Sequence, residues 1–143
     1  MRNRCCKALA LVLGLSPLLA QAELVIEGGW IRAVPPVSTT TAGYFVARNS
    51  GDAPLVLEGV SAEIAGAAEM HDMVANDDGS RSMRRLREVE VAAGGEVAFA
   101  PGGKHLMLFR LARPLAAGES LPVCLKIRGG ETVCADFVVR HPE

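Results

Sequence analysis

Apolar residues along this chain fall in short alternating runs closed by turn-forming residues, and no long stretch carries a persuasive helical period. The runs are 24–34, 42–48, 55–62, 67–74, 83–91, 96–100, 105–111, 121–127 and 132–139. Pro35-Pro36, Asn49-Ser50-Gly51, Asp77-Asp78-Gly79, Gly94-Gly95, Pro101-Gly102-Gly103 and Gly129-Gly130 punctuate them. Many strands at close, even spacing with such turns predict an all-β sandwich or barrel. The last two runs specify their own pairing. Val123, Leu125 and Ile127 alternate with Cys124 and Lys126, and Val133, Ala135, Phe137 and Val139 alternate with Cys134, Asp136 and Val138. Successive strand side chains point to opposite faces, so placing both apolar sets on one face requires an odd-length loop. A three-residue loop at 128–130 sets Cys124 opposite Cys134, and a disulfide between them is expected.

Residues 1–22 follow a different pattern. A basic opening (Arg2, Arg4, Lys7), an apolar run over 8–20 and the small-x-small end Ala20-Gln21-Ala22 predict a secretory signal peptide cleaved before Glu23. The run is broken by Gly14 and Pro17 and is shorter than the roughly 20 residues of a spanning helix, so no membrane anchor is expected. Cys5 and Cys6 lie in the basic region rather than at the cleavage point, which argues against lipid attachment. Residues 23–143 then form one domain, exported to the periplasm and acting as a monomer, with Cys124 and Cys134 as its only cysteines. The leader holds three of the fifteen basic residues and none of the sixteen acidic ones, leaving the domain acidic by four charges with histidine neutral. Nucleic acid, which requires a basic face, is not an expected partner. The mild acidity weakly favours meeting a basic one.

The chemistry concentrates between Met70 and Met107. That stretch holds every methionine of the domain and two of its three histidines, as His71-Asp72-Met73, Met83 and His105-Leu106-Met107. Any one of these methionines is ordinary core filler. On a strand, however, residues two apart share a side, so His105 and Met107 project together, as do His71 and Met73. Calcium and magnesium sites need carboxylates, and the usual zinc sites need thiolates or three histidines. Neutral thioethers with imidazoles favour Cu(I), released as the imidazoles protonate. Trp30 and Tyr44 are expected as packed core or edge residues, the charged positions around 84–96 as solvated strand faces, and His141 as exposed.

These residues resemble the periplasmic copper chaperones of the PCuAC type. The motif of that family is a His or Met, a short spacer, Met, a spacer of about twenty-one residues, then His-x-Met. Here eleven residues separate His71 from Met83, one more than usual, and twenty-one separate Met83 from His105. The extra residue is placed in the turn at 76–79. The likeness extends to GGWIRAVPP (28–36), TAGYFVARNSGDAPLVLEGVSA (41–62) and PGGKHLMLF (101–109). It implies a cupredoxin-like Greek-key β-sandwich holding one Cu(I) per chain. It also implies delivery to an acceptor cuproprotein, the CuA domain of cytochrome c oxidase subunit II, alongside Sco-type proteins. The ligand set it selects is His71, Met83, His105 and Met107, with Met73 in reserve, whereas the pattern alone pairs His71 with Met73. The C-terminal His- and Met-rich extension of many relatives is not expected in a chain ending Arg140-His141-Pro142-Glu143.

No enzyme is expected. A nucleophile elbow, a Walker loop, a dinucleotide fingerprint and a His-Glu-x-x-His helix are all missing from the sequence. Two non-enzymatic alternatives share the copper reading. One is an electron-transfer cupredoxin, whose blue site needs a cysteine thiolate, two histidines and an axial ligand; Cys134 is followed by His141 but by no methionine. The other is a copper-buffering or resistance protein using the same ligands.

Overall fold

The computed structural model describes residues 23–143, and the leader expected over 1–22 lies outside them. Ten strands build it: β1 (Leu24–Arg32), β2 (Thr40–Asn49), β3 (Leu55–Ser61), β4 (Ala65–Ala75), β5 (Arg81–Leu86), β6 (Val89–Val91), β7 (Glu96–Phe99), β8 (His105–Leu111), β9 (Ser120–Ile127) and β10 (Thr132–Arg140). Their hydrogen-bonded order is β5-β4-β8-β2-β1-β10-β9-β3-β6, with β7 paired to β2. Only β1 and β10 run parallel. No helix among the described residues is long and apolar enough to cross a membrane.

The sheet folds over itself so that its two halves share one core. Ile31, Phe45, Leu106 and Leu108 from one half meet Leu57, Val91, Val123, Leu125, Phe137 and Val139 from the other, all essentially inaccessible to water. The two halves also touch where β3 runs beside β4 without pairing to it. This is the expected sandwich, and alternation explains it strand by strand: β8 buries Leu106 and Leu108 and turns Met107 and Phe109 to the outer face. Long β2 holds the first half together by pairing β8 over Thr40–Gly43 and β7 over Phe45–Arg48.

Three details depart from the pattern-based expectations or sharpen them. The run 83–91 is two strands, not one. Its first part pairs β4 and its second pairs β3, so the chain crosses from one half to the other at Arg87-Glu88. β4 and β3 lie in different halves of the sheet, so the chain must leave one before it pairs with the other. The run 24–34 carries a bulge between Glu27 and Trp30, where Gly28 has φ 60°, and its strand ends at Arg32. Trp30 is half-buried on the outer face, tilted against the buried Tyr44 with ring centroids 4.5 Å apart, rather than in the core. The β9–β10 hairpin follows its predicted register: Cys134 lies opposite Cys124, and a disulfide joins them.

Candidate metal centre

The donors gather because β5, β4 and β8 are neighbours whose odd-numbered positions share the outer face. His71 pairs directly with His105 across β4–β8, Glu69 with Met107, and Met73 with Met83 across β4–β5. Directly opposed residues on antiparallel strands place their side chains on the same face within contact range. Five candidate donors, two imidazoles and three thioethers, therefore occupy one patch of sheet. Even-numbered Met70 points the other way and is core.

Met73, Met83, His105 and Met107 line a shallow pocket of about 410 Å³ together with Arg32, Thr40, Thr41, Ala42 and Tyr44. His71 lies beside this pocket rather than on its wall, its side chain only 12% exposed. Its ring centroid is 5.9 Å from that of His105 and 6.2 Å from that of Phe109. Met83 is 49% exposed on edge strand β5.

Each imidazole has one nitrogen occupied and one free. His71 Nε2 lies 2.9 Å from Glu69 Oε2, and Arg85 Nη1 holds the other Glu69 oxygen at 3.3 Å. His71 Nδ1 is buried and has no hydrogen-bond partner. His105 Nδ1 donates to the carbonyl of Gly103 at 2.9 Å, which leaves Nε2 with its lone pair. A metal-binding histidine ordinarily donates its second ring N–H to a carboxylate or backbone carbonyl, which fixes tautomer and ring orientation. Both partners were missed in the sequence, although the signal existed: Glu69-x-His71 places a carboxylate on the histidine's own side of the strand.

Local turns hold this arrangement. The β4–β5 turn is knit by Asn76 Nδ2 to Ser80 Oγ (2.8 Å), Ser82 Oγ to Asn76 Oδ1 (3.0 Å) and Ser80 N to Asp78 Oδ1 (2.9 Å). The hydroxyl of Ser80, with its amide in second place, holds the Asp78 carboxyl below the usual carboxylate range. Arg81 Nη2 reaches the carbonyl of Gly102, tying β5 to the turn that delivers His105. Gly102 has φ 84°, a conformation that side chains with a Cβ resist. Among the described residues, no group of three His, Cys, Asp or Glu side chains is placed to hold a metal ion. A metal here must draw on thioethers.

Residues 24–139 match the family described as "Putative lipoprotein LpqE-like", and the chain belongs to it. A curated relative from Leifsonia xyli subsp. xyli, "Putative lipoprotein Lxx21020", is 29% identical over 108 residues; the match covers 75% of this chain but 63% of that one. Among solved structures, the fold is similar to the copper-bound PCuAC domain from PmoF2, with TM-score 0.69 and 24% identity over 84% of this chain and 94% of that one. The apo PCuAC domain from PmoF1 gives 0.68 and 25%, covering 84% and 95%. Cu(I)-bound DR1885 from Deinococcus radiodurans gives 0.64 and 29%, covering 85% and 81%.

Proposed function

We propose that this protein is an exported Cu(I) carrier that holds one ion on the outer face of β4, β5 and β8 and passes it to an acceptor by ligand exchange. His71, His105, Met107 and Met83 are its ligands, with Met73 in reserve. One observation carries the reading: each histidine is anchored through one nitrogen and leaves the other without a partner, on the sheet face that also carries three thioethers. The separation suits it, since two rings sharing a metal at about 2 Å from nitrogen have centroids roughly 5–6.5 Å apart, against 5.9 Å here. The Cu(I) of DR1885, 29% identical to this chain, supports the same cargo.

The donor set selects the oxidation state. Thioethers and imidazoles are neutral and polarisable, which favours Cu(I) over Cu(II) and adds no charge to the complex. Exposed Met83 on an edge strand is the donor that an incoming ligand reaches first. The acceptor we propose is the CuA domain of cytochrome c oxidase subunit II, reached in the periplasm after residues 1–22 direct export, with Sco-type proteins acting alongside.

A buffering protein would use the same ligands, but a half-exposed donor on an edge strand favours transfer. Electron transfer by a blue site is disfavoured because both cysteines of the domain are engaged in the disulfide.

Under reducing conditions the domain should take up one equivalent of Cu(I), and His105→Ala or Met107→Ala should weaken it by roughly ten-fold or more. Unchanged affinity in both variants would sink the ligand assignment. X-ray absorption separates the two remaining methionines. Met83→Leu is expected to change the sulfur coordination and Met73→Leu to leave it intact; the reverse would make Met73 the ligand. Incubation with the apo CuA domain should move copper to it.

A further inference from the structure

The domain is acidic overall, yet the face that carries the donors is basic. Beyond the donors, the outer face continues across β2, β1 and β10: Trp30 lies opposite Tyr44 on one side and Val138 on the other, and Arg32 lies opposite Arg140. Arg32 and Tyr44 also line the donor pocket, so the two regions are one surface. Val138 is 43% exposed, and the Arg140 guanidinium sits 4.3 Å over the Trp30 ring. Arg81 and Arg85 flank Met83 two residues to either side on β5.

The charges do not cancel within this surface. Glu69 is already held by His71 and Arg85. Asp136 lies further along β10, and Glu143 meets Arg140 only at 3.4 Å on the exposed rim. Arg32 forms no ion pair among the described residues; one of its terminal nitrogens donates to the Tyr44 hydroxyl at 3.2 Å, and its Nε is sealed without a partner. A half-buried guanidinium that faces no carboxylate is unusual, because its planar fork is best satisfied by a bidentate carboxylate. Trp, Tyr and Arg together are also the side chains that most often dominate protein interfaces.

We propose that this face docks an acidic partner protein, whose carboxylates engage Arg32 and Arg140, whose apolar side chains pack against Trp30 and Val138, and whose own metal ligands are thereby brought over Met83. The proposal rests on the carrier reading above for what the partner receives, but its recognition chemistry does not involve copper. Net charge is therefore a poor guide to the partner: local potential around the donors steers the encounter.

The test uses the mature protein, isotope-labelled and free of copper, titrated with a tetraglutamate peptide and followed by nuclear magnetic resonance. Shifts should concentrate on the Trp30 indole, Arg32, Tyr44 and Arg140, weaken with added salt, and diminish in Arg140→Glu and Arg32→Glu. Shifts centred on another basic region, or none at millimolar peptide, overturn the proposal. In the copper-loaded protein, Arg140→Glu should slow transfer to the apo CuA domain roughly ten-fold while its Cu(I) affinity stays within about three-fold of the parent. An unchanged transfer rate in that variant also overturns it. Localised peptide binding with no transfer from the parent protein would remove the CuA acceptor and leave the acidic-partner surface standing.

Discussion

Glu69 and Gly103 act on the two histidines from the same distance in sequence, two residues upstream, by different routes. Glu69 reaches His71 with its side chain, and Gly103 reaches His105 with its backbone carbonyl. Only the first can be removed by substitution. Glu69→Gln preserves the shape but loses the charge that holds His71 in one tautomer and pairs with Arg85. Loss of such an outer partner is expected to weaken Cu(I) binding by roughly 10–100-fold. Competition against a colorimetric Cu(I) chelator measures this, and parent-like affinity would show that His71 is oriented by packing alone. The alternating pattern made His71, Met73, His105 and Met107 visible as same-side pairs, but it gave no rank among the three thioethers. Their roles depend on which strand each occupies and how exposed it is there.

The β4–β5 hairpin is the element that turns a list of donors into a cluster. Its register sets Met73 opposite Met83, so an expected either-or choice becomes two neighbouring thioethers on one face. The turn that fixes this register is fastened by Asp78 and Ser80. Because the Asp78 carboxyl titrates lower in the folded protein than in the unfolded chain, its contribution is present in full above the unfolded value, near 3.9. It is lost as pH falls through the lower folded value. Acid below about pH 4 is thus expected to loosen this turn in the copper-free protein. Amide exchange at Gly79 and Ser80 should rise in that range for the parent and stay flat in Asp78→Asn; identical profiles would rule out the carboxylate as the fastening. The 83–91 run was misjudged for a related reason. No Gly, Pro or Asn separates β5 from β6 in the sequence, and the partner switch at Arg87-Glu88 is dictated by the closing of the sandwich.

At the scale of the whole molecule, the candidate donors and the disulfide sit on different halves of the sheet. The donors occupy β4, β5 and β8, whereas the Cys124–Cys134 bridge fastens β9 to β10. A cross-link closing a loop of ten residues stabilises by up to about 3 kcal/mol through lost unfolded-state entropy. The double variant Cys124→Ser, Cys134→Ser should lose stability on that order in denaturant unfolding and bind Cu(I) as the parent does. A ten-fold change in affinity would instead reveal coupling between the halves.

The sequence by itself determined the all-β class and the β9–β10 register with its disulfide, and it named the candidate soft donors. Each follows from a local rule, side-chain period two or ligand chemistry, that needs no knowledge of distant strands. Only the tertiary structure decided that β4 lies between β5 and β8, which sets His71 against His105 and Met73 against Met83. It alone placed arginines and Trp30 around the donors of an acidic domain. Strand order is settled by how two sheet halves close over a common core, and that closure involves residues far apart in the chain.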